Sequence, residues 1–481
     1  MAAVLRRDSA PEQFLINKQT PSEGIVHIGL GNFHRAHFAF YTAQATARHG
    51  GDWGICAYSL RNTQLVDTLR NQENLYSILE IGPDTDRAYI PNIHTEFVVG
   101  YEQALYISEK ISKPEVKIVS LTVTEAGYYL NPSTSTLNLD HPDIQNDLAG
   151  KSPRTIYGLI AHGLANRDGR PITILSCDNM SHNGDTTKKL FLEFLSHFNP
   201  ALISYLNTSV SFPNSMVDRI VPGTEAKHVT LSLERLGVED QAPVPCEKFT
   251  MWALEDNFIA GRPQWEDVIF TEEVDKFEVM KLRLLNGAHS LLAYLGGAMN
   301  CPTIPDCKNI PAIEKVLHHA LYEEYLPSVD MPSSISADAY ISQLYSRWSN
   351  TVLGDRTSRV GSDGSTKLPQ RITVPALALI KNGRGPKALA LTLAAWLCCI
   401  APFADEVQSN VASEMKDPNK ELLNELVAKH PTTNDFIQAF FALDILDGQL
   451  REATLFKDLV LGYRESIRSH GMQATLDSFF N

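Results

Sequence analysis

The sequence predicts an α/β fold in which a doubly wound parallel sheet forms an N-terminal domain and an all-helical domain follows. Three observations support this prediction. Short runs rich in β-branched residues alternate with longer segments up to about residue 185, a Gly-x-Gly turn follows the first run, and helix-period segments dominate after residue 280. Alternation of this kind is typical of a parallel sheet covered by helices on both faces.

Four strand-like runs define the predicted sheet. The first, Gly24–Gly29 (GIVHIG), ends in a glycine turn and leads into Asn32–Ala45, which has helical character. The others are Trp53–Leu60, Lys117–Thr124 and Pro171–Cys177, with intervening segments long enough to hold crossover helices. We therefore expect these runs to be strands of one mostly parallel sheet.

The domain boundary is placed just before Lys281, which gives domains of residues 1–280 and 281–481. Residues 185–280 show no clear pattern, and no convincing strand follows Lys281. The helix-period segments beyond the boundary are 312–325, 337–350, 373–381, 388–400, 420–428 and 433–443.

Length, composition and charge indicate a soluble globular protein. A chain of 481 residues is too long for one ordinary core, and 43% hydrophobic with 20% charged residues is typical of a folded protein. The net charge of −14 argues against a nucleic-acid or anionic-membrane partner, because both would be repelled. We expect a small-molecule partner and a monomer or small homo-oligomer.

Cysteine usage and hydropathy indicate a cytoplasmic protein. The seven cysteines form neither a CxxC pair nor a cluster with histidine at zinc-ligand spacing, so we expect reduced thiols and no metal. The N-terminal residues lack the apolar core of a secretory signal. The longest apolar run, Ala388–Phe403, is shorter than the ~20 residues of a membrane span. We expect it to form a buried helix that starts beside Pro386.

The turn Gly29-Leu30-Gly31 lies between the first strand and a helix, as in the dinucleotide-binding turn of a Rossmann-like domain. The first glycine permits the turn, and the second lets the backbone approach a pyrophosphate. His34 stands where the usual fingerprint has its third glycine. Taken alone, the turn is equally compatible with an ordinary strand-to-helix connection.

The end of the second strand leaves the choice between NAD and NADP open. An acidic side chain there usually binds the ribose 2′-hydroxyl of NAD. The segment from Tyr58 to Gln64 (YSLRNTQ) has no carboxylate, and the first one follows at Asp67. Arg61 could accommodate a 2′-phosphate, although a surface arginine without a cofactor role is the commoner explanation.

The segment Glu278–Gly296 (EVMKLRLLNGAHSLLAYLG) combines an amine, an amide and an imidazole with an apolar run. At roughly 100° per residue, the side chains of Glu278, Asn286 and His289 fall on the same side of an α-helix as Lys281. An amine whose charged form is disfavoured by burial can act as a base near neutral pH. The alternative is a core helix with a few satisfied polar residues.

Six segments resemble a known family in their order and spacing. They are GLGNFHRAHFAFY at 29–41, SLTVTEAGY at 120–128, SCDNMSHNG at 176–184, FPNSMVDRI at 212–220, KLRLLNGAHS at 281–290 and SDGSTKLPQR at 362–371. Together they closely resemble the mannitol dehydrogenase family, long-chain polyol and sugar-acid dehydrogenases that need no metal. The resemblance covers roughly residues 24–371.

The resemblance implies roles for five polar residues. Lys281, in a Lys-x4-Asn-x2-His pattern, would be the catalytic base. Asn286 and Asn179 would donate hydrogen bonds to the reacting oxygen, which suits two neutral amides because they stabilise an oxyanion without competing for the proton. His289 would orient the substrate hydroxyls, and Glu278 matches a position linked to proton exit through water.

The resemblance also implies substrate and cofactor residues. Asp218, Arg359 and Lys367 would bind the substrate, although each taken singly could be a structural ion pair or an exposed charge. The family resemblance favours NAD. However, members that prefer NAD carry acidic residues in the loop after the second strand, the region where Thr63 and Gln64 stand here. NAD is therefore expected, and NADP is possible. The implied cofactor-binding residues are Gly29, Gly31, Asn32, Phe33, Arg61, Thr124 and Glu125.

The expected function is hydride transfer between a nicotinamide cofactor and a secondary alcohol. We expect oxidation of a mannitol-like polyol to its 2-ketose, with Lys281 as the base and the site in the cleft between the two domains. The nearest alternative is the same chemistry on a sugar acid, the reduction of fructuronate to mannonate. A remote alternative is a dinucleotide-binding sensor without turnover.

Overall fold

The computed structural model describes residues 3–131 and 134–480, which form two compact units. The first unit is Met1–Asp275 and the second is Lys276–Asn481. The division falls inside the helix Val274–Met280, a few residues before the boundary placed at Lys281.

The strands all lie in the first unit, within the described part of the chain. In chain order they are β1 (Glu23–Ile28), β2 (Gly54–Ser59), β3 (Ile78–Glu80), β4 (Ala88–Tyr89), β5 (His94–Val99), β6 (Ile118–Leu121), β7 (Leu130–Asn131), β8 (Thr136–Leu137), β9 (Ile172–Ser176), β10 (Val210–Ser211), β11 (Ser215–Asp218), β12 (Val244–Cys246), β13 (Met251–Leu254) and β14 (Ile269–Phe270).

Six parallel strands form the central sheet in the order β5-β2-β1-β6-β9-β10. Counting only these six along the chain gives the order 3-2-1-4-5-6, which is typical of dinucleotide-binding domains. The predicted Rossmann-like sheet is confirmed, and the four predicted runs correspond to β1, β2, β6 and β9. The outer strands β5 and β10 were not predicted. Smaller sheets combine β11-β13-β14, β12-β3-β4 and β7-β8.

Two hydrophobic cores involve the central strands. Alternate residues of β1 lie in different cores, with Ile25 in one and Val26 in the other, and Ala57 and Tyr58 of β2 alternate in the same way. Burial of alternate residues in two cores explains why these strands are almost continuously apolar in sequence.

The α-helices that begin in this unit are α1 (Asn32–Ala36), α2 (Phe38–His49), α3 (Thr63–Asn71), α4 (Ala104–Ser112), α5 (Pro142–Leu148), α6 (Ile156–Ala165), α7 (Asn183–Phe198), α8 (Leu202–Ser209), α9 (Ala226–Leu236) and α10 (Val274–Met280).

The predicted helix Asn32–Ala45 is interrupted, because His37 adopts φ −118° and ψ −85° and separates α1 from α2. Buried polar contacts accompany the break. The Tyr76 hydroxyl donates to the carbonyl of Arg35 at 3.0 Å, and the Arg35 guanidinium donates to the Ala242 carbonyl at 2.6 Å. Contacts with distant residues thus fix this part of the chain, which local helical periodicity could not reveal.

Every named element that begins within the described residues 276–480 is a helix, so the all-helical prediction is confirmed. Two π-helical segments, Lys281–Gly287 and Ala320–Tyr325, accompany short 3₁₀ and longer α-helices. Short 3₁₀ turns occur at Leu326–Ser328 here, and at Glu12–Phe14, Tyr101–Gln103 and Glu125–Tyr128 in the first unit. The α-helices are α11 (Ala288–Ala298), α12 (Ile304–Lys308), α13 (Pro311–His319), α14 (Ala337–Trp348), α15 (Thr357–Val360), α16 (Gly364–Lys381), α17 (Lys387–Ile400), α18 (Asn410–Ser413), α19 (Lys420–Lys429), α20 (Thr433–Phe441), α21 (Gly448–Glu452) and α22 (Thr454–Asp477).

The longest apolar run forms the mostly buried helix α17, which begins after Pro386 as predicted. Among the described residues, no helix has the combination of length and hydropathy that crossing a membrane requires. The seven cysteines are free thiols.

One group of possible metal ligands occurs in the described residues, and a lysine lies beside it. The nearest ligand atoms of Glu23, Cys56 and Glu96 lie within 4.8 Å of one another. The Lys110 ammonium lies 2.9 Å from Glu23 and 3.3 Å from Glu96. Burial acts to lower the pKa of Lys110, but its hydrogen bond with Glu23 and the nearby charges raise it. The ammonium thus supplies the positive charge that these carboxylates require.

Three buried imidazoles form a cluster beside β1, and His27 contacts the Gly29 carbonyl at 3.3 Å. His27 of β1 and His34 of α1 stack with ring centroids 3.4 Å apart, and His34 Nε2 lies 3.0 Å from His94 Nε2. His27 also contacts the hydroxyls of Ser120 at 2.9 Å and Thr122 at 3.0 Å. His34, at the position of the missing third glycine, therefore packs α1 against β1 through an aromatic stack. Burial lowers the pKa of His27 to about 3 and lowers the pKa values of His34 and His94 well below the usual range.

We predict that acid destabilises the fold through these imidazoles. Because their folded-state pKa values lie below the unfolded value of about 6.5, the unfolded chain binds more protons. Their contribution to the free energy of unfolding is fully present above about pH 6.5. Below that pH, each imidazole lowers the free energy of unfolding by about 1.4 kcal/mol per pH unit. Urea unfolding from pH 7.5 to 4.5 measures this slope of the free energy of unfolding against pH.

The variant His27→Gln should reduce that slope by about 1.4 kcal/mol per pH unit, since one proton no longer binds on unfolding. The exposed His197→Gln is the matched control and should leave the slope unchanged. Equal slopes in the native protein and His27→Gln would contradict the prediction.

Candidate active site

The glycine turn lies where the strand order of the central sheet reverses, between β1 and β6. Gly29 has φ +105°, and a Cβ atom there would lie 2.0 Å from the carbonyl oxygen of Thr122. The Thr122 hydroxyl donates to the Gly29 carbonyl at 2.7 Å. Both the conformation and the close approach of the two strands therefore require glycine at this position.

The second half of the turn leaves space for a ligand. A Cβ atom on Gly31 would meet nothing nearer than the Gly29 carbonyl oxygen, at 4.0 Å. Asn32 and Phe33 follow in the first turn of α1, where backbone N–H groups have no acceptor within the helix. The side-chain Nδ2 of Asn32 donates to the Pro222 carbonyl at 3.0 Å, which fixes the start of this helix. The turn thus fits the pyrophosphate of a dinucleotide.

Arg61 is exposed after β2, and its Nε donates to the Tyr101 hydroxyl at 3.4 Å. This hydrogen bond raises the pKa of Arg61. Asn62 caps α3 by accepting from the Leu65 amide at 3.2 Å. The side chains that follow β2 are thus cationic or neutral up to Asp67.

Thr124 and Glu125 are exposed in the loop after β6, and one buried carboxylate holds this loop. Asp178, 8% exposed, accepts hydrogen bonds from the amides of Val123 at 3.0 Å and Thr124 at 2.9 Å. It also accepts one from the Tyr128 hydroxyl at 2.7 Å. Burial raises the pKa of Asp178, and these hydrogen bonds act in the opposite direction.

The loop after β9 carries Asn179, which is exposed and directly follows Asp178. Asn183 fixes the far end of this loop, because its side-chain Nδ2 donates to the Asp178 carbonyl at 3.0 Å and to the Ser215 carbonyl at 2.8 Å. Ser215 begins β11, and Asp218, 4% exposed, ends it. The sequence analysis did not assign Asp178 or Asn183, although both lie in the SCDNMSHNG segment.

Lys281 and Asn286 lie in the π-helical segment, so the angles calculated for an α-helix do not apply to them. A π-helix has i→i+5 backbone hydrogen bonds, and these two residues are five apart. They therefore lie one hydrogen-bonded turn apart, and their side chains point in more similar directions than they would in an α-helix. Both side chains are half-buried.

The packing of Gly287 explains how the π-helical segment is fixed. A Cβ atom on Gly287 would lie 2.6 Å from Cζ of Tyr325, which belongs to the second π-helical segment. The neighbouring Glu324, 1% exposed, accepts hydrogen bonds from the amides of Ala388 at 2.7 Å and Leu389 at 3.0 Å. The start of α17 thus fixes the Tyr325 segment, which packs against Gly287.

Glu278 lies in α10 and His289 in α11, on either side of the π-helical segment, and both are half-buried. The His289 ring lies 5.9 Å from the buried ring of Trp348. The next residue, Ser290, accepts a hydrogen bond from Arg371 Nη1 at 2.7 Å. Arg371 belongs to α16 and was not assigned from the sequence.

The two cations expected to bind substrate make contacts with groups near them in sequence. The Arg359 guanidinium, 52% exposed, pairs with Asp355 through a hydrogen bond from Nε at 3.0 Å and a shorter one from Nη2. Lys367 donates to the Ser362 carbonyl at 2.7 Å and lies 3.8 Å from the Asp363 carboxylate. These contacts are those expected of structural ion pairs.

Both units match profiles of known sequence families. The mannitol dehydrogenase Rossmann domain matches residues 23–267, and the mannitol dehydrogenase C-terminal domain matches residues 273–465. Mannitol 2-dehydrogenase of Phaeosphaeria nodorum is 34% identical over 470 residues, which cover 95% of this chain and 81% of that protein. D-mannonate oxidoreductase of Escherichia coli is 38% identical over 387 residues, or 78% of this chain and 79% of that protein.

A solved structure is similar along almost the whole chain. It is the ternary complex of Pseudomonas fluorescens mannitol 2-dehydrogenase with NAD and D-mannitol, which has a TM-score of 0.86 and 33% identity. The similarity covers 96% of this chain and 94% of that one.

We predict that Gly287→Ala destabilises the protein, because the added methyl group would overlap the buried Tyr325 ring. Overpacking of this kind costs about 1–3 kcal/mol. The matched control is Gly462→Ala in α22, where a Cβ atom would meet nothing within 4 Å. The control should be unchanged or slightly more stable, since alanine is the better helix former. Urea unfolding measures both, and a native stability for Gly287→Ala would contradict the proposed packing constraint.

Proposed function

Because the chain belongs to the mannitol dehydrogenase family, we propose that it interconverts a mannitol-like polyol and its 2-ketose by hydride transfer. The observation that best supports this function is the placement of Lys281 and Asn286 one π-helical turn apart. A base and a neutral amide on one short segment match the needs of alcohol oxidation, in which one group removes the proton and another stabilises the oxygen.

In this proposal, Lys281 in its neutral form takes the hydroxyl proton as the O–H bond breaks and an N–H bond forms. The side-chain amides of Asn286 and Asn179 donate hydrogen bonds to the oxygen as negative charge develops on it. His289 orients the neighbouring hydroxyls. Glu278 receives the proton on its way from Lys281 to water. In the reverse direction, Lys281 returns a proton to the carbonyl oxygen.

We propose NAD as the preferred cofactor and NADP as a poorer one. When bound, NAD supplies the acceptor for the hydride that leaves the alcohol carbon. Gly29, Gly31 and the first turn of α1 would hold its pyrophosphate, with Asn32, Phe33, Thr124 and Glu125 around it. The NAD in the Pseudomonas fluorescens complex supports this choice. Because the segment after β2 has no carboxylate to repel a 2′-phosphate, Arg61 would permit weaker binding of NADP.

A polyol is the proposed substrate, bound by Asp218, Arg359 and Lys367. Charged groups make strong hydrogen bonds to hydroxyls in a site that excludes water. The contacts of Arg359 with Asp355 and of Lys367 with Ser362 would orient these donors. The D-mannitol in the complex of the Pseudomonas fluorescens relative supports a polyol.

Arg371 favours a sugar acid as a second candidate substrate. It lies one helical turn after Lys367 on α16, and its guanidinium is held beside Ser290, the neighbour of His289. Two cations on one helix turn suit a carboxylate, which arginine binds with paired N–H donors. The similarity to D-mannonate oxidoreductase of Escherichia coli supports this alternative.

A substrate panel tests the proposed function. The purified protein is mixed with NADH or NADPH and with fructose, another 2-ketose or fructuronate. The loss of reduced-cofactor absorbance is then followed. We expect turnover of a neutral ketose, with NADH used better than NADPH and little effect of Arg371→Met. Preference for fructuronate, with a large loss in Arg371→Met for that substrate, would favour the second candidate. Cofactor binding without any turnover would favour the dinucleotide sensor.

We predict that Lys281→Met lowers kcat by about 10²–10⁴-fold, the usual contribution of a general base. Cofactor affinity and the free energy of unfolding should change little. Lys315→Met replaces an exposed lysine of α13 and serves as the matched control. Near-native turnover of Lys281→Met would remove this residue from the mechanism.

A further inference from the structure

Asp178 holds a strained part of the candidate cofactor loop. Thr124 has φ +65° and ψ 166°, a backbone region that is almost exclusive to glycine and especially unfavourable for a β-branched residue. Such a conformation persists only when surrounding contacts fix it. The Asp178 carboxylate accepts hydrogen bonds from the Thr124 amide at 2.9 Å and the preceding Val123 amide at 3.0 Å.

The same residue fixes one end of the loop that carries Asn179. Its own amide donates to the Ser176 hydroxyl at 3.3 Å, and its carbonyl accepts from Asn183 at 3.0 Å. Asn183 also donates to the Ser215 carbonyl at 2.8 Å, at the start of the strand that ends in Asp218. Three segments that the family resemblance assigns to the site are thus connected through one buried carboxylate and one buried amide.

The hydroxyl of Tyr128 completes the contacts of the carboxylate. It donates to Asp178 Oδ2 at 2.7 Å and lies 2.7 Å from the Ser176 hydroxyl. Tyr128 closes the 3₁₀ turn that follows Thr124, so the carboxylate contacts the loop at its start and at its end. Asp178 therefore accepts hydrogen bonds from Val123 and Thr124 at the start of this loop and from Tyr128 at its end.

We propose that Asp178 is a positioning residue for the reaction, which rests on the proposed function. Its carboxylate holds Thr124 in the strained conformation and, through the adjacent peptide bond, sets the position of Asn179. The cofactor loop and the Asn179 amide, which would stabilise the reacting oxygen, are then held in a fixed relative position. Displacement of a reacting group by about 1 Å can cost about 10²-fold in rate.

The test compares two aspartates with similar contacts. Asp147, also buried, accepts hydrogen bonds from the amides of Arg154 at 2.8 Å and Thr155 at 2.9 Å and from the Thr155 hydroxyl at 2.7 Å. In Asp178→Asn, either orientation of the amide turns an N–H group towards a backbone N–H donor. We expect kcat/KM to fall about 10²-fold, with a fall in kcat and weaker NADH binding. Asp147→Asn should lose comparable stability while keeping its kcat/KM.

A milder variant guards against misfolding of Asp178→Asn. Tyr128→Phe removes one hydrogen bond to the carboxylate and should lower kcat/KM about tenfold in the same direction. NADH binding is followed by fluorescence in every variant, and unfolding is measured alongside. If Asp178→Asn and Tyr128→Phe keep native kcat/KM, or if Asp147→Asn loses as much, the proposal is overturned. A native protein without turnover on any substrate refutes the proposed function, whereas the binding measurement still tests the loop.

Discussion

The first unit depends on how backbone polar groups find partners where β1 and β6 end. The ladder of hydrogen bonds between the two strands stops there, yet buried N–H and C=O groups must still be paired. Side chains supply the partners here. The Thr122 hydroxyl donates to the Gly29 carbonyl, and Asp178 accepts from the amides after β6. The opening at the switch point is therefore lined by fixed groups, which suits the binding of a charged ligand.

The sequence predicted the elements whose information is local. Strands β1, β2, β6 and β9 are almost continuously apolar, because both faces of the sheet are buried. The edge strand β5 begins with polar residues (HTEFVV), and β10 has only two residues, so neither has a distinct pattern. The break at His37 depends on partners far along the chain, such as Tyr76, and local periodicity carries no trace of it.

The candidate site shows the same division between local and distant information. The Lys-x4-Asn-x2-His pattern predicts roles for Lys281, Asn286 and His289, but the spacing alone could not reveal a π-helix. Asp178 was not assigned beside Asn179, since its hydrogen-bond partners Val123, Thr124 and Tyr128 lie about fifty residues earlier. The roles of Arg359 and Lys367, like those of Lys281, Asn286 and His289, stay predictions that rest on the family resemblance.

The π-helical segment has a consequence for chain length. A π-turn accommodates an extra residue within an otherwise α-helical path. A chain one residue shorter between Met280 and Ala288 could form a regular α-helix, which is the locally preferred form, and keep the directions of the side chains on either side. The present number of residues in a regular α-helix would instead rotate the side chains after the segment by about 100° relative to those before it. The relative directions of Glu278 and His289 therefore depend on both the number of residues in this segment and its π-helical form.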